Sequence, residues 1–266
     1  MEKIERLLLT IIFLISITSL SFSEDNFIRI GLTLSLTGKY REPAEMQYRG
    51  FLLWEEDVNK RGGILGKKVK LIVHDDRSEP EEAKRLYEAL IVKEKVDLLF
   101  GPYSSELTEA VVPVTEGYGY PLLASGASSD RLWRKGYKNL FGVYSPASTY
   151  ASGFLELLVL NDFKRIAILH ADDAFSEELA SGAKKKAEWL GLEVVLYRGF
   201  KKGRGIPDEL ITEMKALRPE ALIMAGHFED SINMVKALKG TEWFLKARFA
   251  SVGPVINRFY EIAGKD

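Results

Sequence analysis

Three short loops in the 266-residue sequence set hydroxyl groups beside glycine: Gly101-Pro-Tyr-Ser-Ser105, Ser125-Gly-Ala-Ser-Ser129 and Ser35-Leu-Thr-Gly38. Ser104 and Ser105 open a helical pattern running to about Gly117, so their hydroxyls stand beside backbone N–H groups that a helix cannot pair internally. An anion is favoured there, and a carboxylate gains about 0.3–2 kcal/mol from the helix terminus. Ser105 could equally do no more than cap its own helix. Tyr103 belongs to the same loop. Ser128, with the carbonyls of Gly126 and Ala127 beside it, offers a hydroxyl and acceptors in a flexible turn, or forms an ordinary Ser/Gly loop.

None of these serines carries the marks of a nucleophile. Ser128 sits in Gly-Ala-Ser-Ser-Asp, which departs from the Gly-x-Ser-x-Gly elbow, and no His/Asp partner is signposted nearby. No phosphate-cradling Gly-rich loop or His-Glu-x-x-His motif occurs. The three histidines, at 74, 170 and 227, are too dispersed for a ready metal site, and zero cysteines exclude disulfides, thiolate catalysis and Cys-ligated zinc. Asp75-Asp76 could be a metal-binding pair, but reads better as a solvated turn that also caps the next helix. Asp172-Asp173 and Glu177-Glu178 read as helix-start acids. A net charge of −1 gives no basis for nucleic-acid binding. The expectation is a binding protein with no catalytic residues, no metal and no cofactor.

The elements that must position these loops alternate. Strands are expected at Phe27–Leu34, Lys68–His74, Val96–Phe100, Pro121–Ala124, Arg165–His170, Leu192–Phe200, Ala221–Ala225 and Ala247–Ser251. Helices are expected at 44–59, 80–93, 105–117 (kinked at Pro113), 149–160, 175–190, 207–217 and 230–238. This rhythm implies βαβ units and parallel sheets covered by helices. A break at Tyr144–Ser148, after the apolar stretch Leu140–Val143, divides them into two doubly wound lobes. Such sheets bind ligands beyond the carboxyl ends of their strands, where the serine loops fall.

Residues 1–23 order Lys3 and Arg6, an apolar run Leu7–Leu20 and the small residues Ser21 and Ser23, the pattern of a secretory signal. The run is shorter than the roughly 20 residues of a bilayer span. The alternative is an uncleaved N-terminal anchor; lipid attachment would need a cysteine. A periplasmic or extracellular location follows. The expected organisation is a signal peptide 1–23, an N-terminal lobe 24–146, a second lobe 147–252, and 253–266 as the start of a return to the first lobe.

The blocks Ile30-Gly-Leu-Thr-Leu-Ser-Leu-Thr-Gly38, Asn59-Lys-Arg-Gly-Gly-Ile64, His74-Asp-Asp76 and Gly101-Pro-Tyr-Ser-Ser105, in this order and spacing, resemble the branched-chain amino-acid-binding proteins, the type I periplasmic receptors of ABC importers. The similarity runs from about Ile28 to Gly264. It implies a type I periplasmic-binding-protein fold, two Rossmann-like lobes joined by three crossings at a hinge, closing on a small amino acid or amide and presenting the closed form to an ABC permease. It places the carboxylate-binding serine on Ser105, the second hydroxyl on Ser128, the ammonium-binding carbonyl on Ala127 or Gly126, an aromatic on Phe175, and His227 where relatives carry a tyrosine. Two features depart from the pattern. Ser251-Val-Gly-Pro254 stands where an acid for the ammonium is expected, leaving Glu42, Asp172 or Glu229 to supply it, and Pro43 replaces an aromatic expected in the loop before the first helix. An uncompensated ammonium in a closed cleft costs several kcal/mol, so an amide, a urea-like molecule or a simple carboxylate is also expected to fit.

The chain ends just after the second crossing, as a fragment or a shortened product, which implies weak closure and a poorly placed second wall at Phe175 and His227. A ligand-sensing protein of the same fold is the alternative function, distinguished by kinase or chemoreceptor genes as neighbours instead of permease and ATPase genes.

Overall fold

Strand β1 (Phe27–Leu34) turns Ile30, Leu32 and Leu34 to one face of its sheet and Gly31 to the other, where Leu90 and Val96 approach it. The computed structural model that shows this describes residues 26–238 and 245–264, so the expected signal 1–23 lies outside the described residues. Helix α1 (Arg41–Lys60) covers the first face: Phe51 stacks on Phe100 at 5.1 Å and Trp54 meets it edge-on at 5.4 Å. Strand β2 (Lys68–Asp75) pairs in parallel with β1 along its whole length. Helix α2 (Pro80–Val92), strand β3 (Leu98–Phe100) and helix α3 (Ser105–Gly117) follow. Both helices lie on the other face, where Tyr87, Leu90, Leu107 and Val111 are fully buried. Helix α3 continues through Pro113, which faces solvent. Strand β4 (Leu122–Ala124), the short helix α4 (Asp130–Arg134) and strand β5 (Leu140–Gly142) complete a parallel sheet of order β2-β1-β3-β4-β5.

The chain crosses over through a 3-10 turn, Ala147–Thr149, into helix α5 (Ser152–Leu160), which therefore starts later than the expected 149. Strand β6 (Arg165–Ala171), helix α6 (Ala174–Trp189), strand β7 (Glu193–Phe200), helix α7 (Asp208–Leu217), strand β8 (Ala221–Ala225), helix α8 (Phe228–Leu238) and strand β9 (Ala247–Ala250) form the second lobe. Its sheet, order β7-β6-β8-β9, is parallel throughout. Alternation along β6 splits the core. Ile166 and Ile168 meet α5 and α6, while Ala167 and Leu169 join the layer of Met214 and Met234 from α7 and α8. Two parallel sheets, each covered by helices on both faces, realise the expected α/β architecture.

After β9 the chain turns through Ser251–Ile256 into helix α9 (Asn257–Ala263), whose Phe259 and Ala263 pack with Phe228 and Ile232 of α8. One ion pair, Arg258 with Glu42, ties α9 to α1 of the first lobe.

Two expectations need correction. Helix α1 begins at Arg41, so Pro43 lies in its first turn instead of in a preceding loop; a proline is tolerated there because the first-turn N–H groups have no intrahelical partners. Asp76 is neither solvated nor a helix cap. Fully buried, it accepts from Thr33 Oγ1 (2.7 Å), Ser35 Oγ (2.6 Å) and the Ser78 N–H (2.9 Å), stitching the end of β2 to that of β1. Burial raises its carboxyl above the ordinary range against those lowering hydrogen bonds.

Candidate functional site

The carboxyl ends of both sheets face one another across a cavity of about 350 Å³. The first lobe contributes Tyr103, Ser104 and Ser105 from the β3–α3 loop, Gly126 and Ser128 from the loop after β4, and Gln47 from the second turn of α1. The second lobe contributes Phe175 at the start of α6, His227 after β8 and Ser251 after β9. Tyr144 and Tyr150 flank the crossover, and Val252, Val255 and Ile256 close the remaining side. The structure thus gathers seven of the eight residues singled out from sequence.

Ala127 is the exception. Its side chain is 1% exposed in the core beside Tyr40 and Leu132, and it does not line the cavity, whereas Gly126 does. The reason is a close approach of two loops: a Cβ on Gly126 would stand 2.9 Å from the Pro102 carbonyl oxygen and from Tyr103 Cα. Only glycine lets the backbone pass there, and the next side chain turns inward.

Ser105 neither caps its helix nor stands free. Its Oγ accepts from the N–H groups of Ser128 and Ser129, both at 3.1 Å, so it fixes the loop after β4 and keeps only its own proton to donate. Ser104 is the N-cap of α3, is 2% exposed, and lies beside Tyr40, yet its Oγ makes no hydrogen bond of sound geometry. Gln47 donates Nε2–H to Ser125 Oγ at 3.0 Å, and its buried Oε1 is likewise unpartnered. Two orphaned buried polar atoms in one cavity wall are costly unless another molecule completes them. Replacing Ser105 by Ala is expected to lower stability by about 1–2 kcal/mol, because two buried N–H groups lose their acceptor; urea denaturation checks it.

Contacts hold the lobes together around the cavity. Tyr103 Oη lies 3.1 Å from His227 Nδ1. Lys202 Nζ donates to Tyr40 Oη at 2.6 Å, and Tyr40 in turn donates to Glu106. Burial and the Glu106 carboxylate push the Tyr40 phenol far above its ordinary value, so it stays protonated. Asp173 caps α6 through the Ser176 N–H (3.2 Å) and also faces His227 Nε2 and Lys202 Nζ, each at 3.5 Å. Burial alone would raise its carboxyl; His227, Lys202 and the Ser176 N–H outweigh that and hold it far below the ordinary range. On the opposite rim, Glu178 of α6 reaches across to α4, accepting from Ser129 Oγ (2.6 Å) and from the N–H groups of Asp130 (2.7 Å) and Arg131 (3.1 Å).

Among the described residues, no acid lines the cavity to receive an ammonium. Glu42 pairs with Arg258, Asp172 accepts from Lys201 Nζ at 2.6 Å, and neither they nor Glu229 line the cavity. Among the described residues no group of His, Asp and Glu could hold a metal ion, and no helix is long and apolar enough to cross a membrane. Gln47, Tyr144 and Tyr150 escape the sequence reading. Of these, the two tyrosines had a signal: they bracket the Pro-containing break between the lobes.

The chain is 26% identical over 230 residues to the leucine-, isoleucine-, valine-, threonine-, and alanine-binding protein of Pseudomonas aeruginosa, covering 85% of this chain and 60% of that one. An amino acid binding protein of the same organism matches with the same identity and coverage, so the chain spans about 60% of the length of these curated relatives. Among solved structures, a leucine-binding protein from Thermotoga maritima superposes with a TM-score of 0.77 at 21% identity, over 90% of this chain and 67% of that one. A Rhodopseudomonas palustris solute-binding protein in complex with benzoate gives 0.69 at 24%, over 79% and 58%. At these identities the superpositions establish the fold, the two-lobed type I architecture that the resemblance implied. The family described as periplasmic binding protein matches residues 28–258, and the chain belongs to that family.

Proposed function

We propose that this chain is an extracytoplasmic solute-binding protein of an ABC importer, exported by residues 1–23, that closes lobes 24–146 and 147–252 on a small amino acid or related carboxylate or amide and presents the closed form to a membrane permease. The observation that carries this reading is the inter-lobe cavity itself. Ser104 and Gln47, each with a buried side-chain oxygen that no protein group pairs, line it from one lobe, and Phe175 and His227 from the other. Tyr103, Ser105, Gly126 and Ser128 complete the ligand wall, and the name of the Pseudomonas relative supports a small-molecule ligand. The proposed chemistry is recognition without turnover. No base stands ready to activate the wall hydroxyls: Ser105 Oγ accepts from the Ser128 and Ser129 N–H groups, Ser104 Oγ makes no hydrogen bond of sound geometry, and His227 faces Tyr103 and Asp173.

Calorimetry of the full chain against amino acids, short amides and small monocarboxylates, with mass spectrometry of the mixture, tests it. One-to-one binding of at least one compound, recovered unchanged, is expected. Chemical conversion of a bound compound, or no binding across the panel by a folded protein, would overturn the reading.

A further inference from the structure

Glycine is disfavoured in the interior of a helix relative to alanine, because it loses more conformational freedom on folding and packs no side chain. Gly182 nevertheless stands in the middle of α6. A backbone contact accounts for it. A Cβ at 182 would lie 2.1 Å from the Ser148 carbonyl oxygen and 2.5 Å from Ser148 Cα, whereas a Cβ on Gly50, in the middle of α1, would meet nothing within 4 Å. Helix α6 of the second lobe therefore bears directly on the crossover that joins the lobes. Any side chain at 182 must push the two apart.

The crossover leads from there to the cavity, on the reading that this cavity is the ligand site. Ser148 is tied to the first lobe, its N–H and Oγ donating to the Asp130 carboxylate at 3.2 and 2.7 Å. The Asp130 N–H in turn donates to Glu178 at 2.7 Å, one turn before Gly182 on α6. Helix α6, helix α4 and the crossover thus form a closed ring of contacts. Beside Ser148, the Ala147 N–H donates at 2.7 Å to the carbonyl of Ser128, a residue of the cavity wall. Phe175, two turns before Gly182 on the same face of α6, belongs to the opposite wall. Gly182 itself does not line the cavity.

We infer that Gly182 is a positioning residue for ligand binding: by admitting the crossover against α6, it sets the spacing between Ser128 and Phe175 without touching the ligand. A Cβ keeps at least 3.0 Å from backbone atoms, so Gly182→Ala separates α6 from the crossover by about 1 Å. A shift of that size misplaces binding groups.

Amide exchange of the full chain, read residue by residue by NMR, tests this beside calorimetry with L-leucine, butyramide and benzoate. Gly182→Ala is expected to speed exchange of the Ala147 N–H at least tenfold, while the N–H groups of Leu32 in β1 and Ile168 in β6 keep their rates. Whichever of the three compounds the wild type binds should bind at least tenfold more weakly. Gly50→Ala, with open space around it, should leave the Ala147 rate and the affinity unchanged. Should Gly182→Ala not fold, Ser148→Ala, which loses only the 2.7 Å bond to Asp130, is expected to show the same local change at threefold or more. An unchanged Ala147 rate, a rise shared equally by β1 and β6, or an unchanged affinity overturns the inference. No binding by the wild type counts against the ligand-site reading, and the exchange rates then still confirm or overturn the seating of the crossover.

Discussion

Replacing Asp173 by Asn is expected to destabilise the folded chain by about 3 kcal/mol at pH 7. Asparagine keeps the cap on α6, so the loss isolates the charge that faces Lys202 and His227. Removing one partner of a largely buried charge cluster costs about 3–5 kcal/mol where the others are left uncompensated; the lower end applies because Asp173 is not fully enclosed and Lys202 keeps Glu106 at 3.8 Å. The pH dependence carries the same signature. The folded-state pKa of Asp173 is depressed, so its stabilisation is fully present above the unfolded-state value, about 4, and is lost as pH falls below it. Urea denaturation of the wild type and Asp173→Asn at several pH values checks this. The gap between the two should be constant above about pH 5 and shrink towards pH 2, whereas a purely steric effect would leave it unchanged.

Replacing Glu178 by Ala should weaken ligand binding about 30-fold while leaving each lobe folded. Glu178 accepts three hydrogen bonds from Ser129, Asp130 and Arg131, all in the other lobe. Hydrogen bonds to a charged group are each worth about 1.5–3 kcal/mol. Water replaces part of this in the open form, leaving about 2 kcal/mol that favours closure, or roughly 30-fold in affinity. Calorimetry of the variant with the tightest compound found for the wild type measures the loss. An unchanged affinity would mean that Glu178 contributes nothing specific to the closed state.

The sheets are legible in the sequence because a strand buried on both faces must be a continuous apolar run, as Ile166–Leu169 and Ala221–Ala225 are. The serine loops are legible because the strand ends place them. What escapes depends on approaches distant in sequence. Gln47 enters the cavity because α1 begins at Arg41, a start that Pro43 disguises. Gly126 lines the cavity and Ala127 does not, because another loop lies so close that a Cβ on Gly126 would stand 2.9 Å from it. Asp76 looks solvated until Thr33 and Ser35, four decades of residues earlier in the chain, close around it. Glu178 reads as a helix-start acid, and only the packing of α6 against α4 gives it a second helix to cap.

Tyr103 with His227, Lys202 with Tyr40, Glu178 with α4, and Arg258 with Glu42 all span the lobes. Small-angle scattering of the monomeric full chain, titrated with the tightest-binding compound, tests closure on a ligand most directly. A radius of gyration that falls on saturation, and falls less at equal occupancy in Glu178→Ala, is the expected result. Saturation without any compaction would contradict a ligand held between closing lobes.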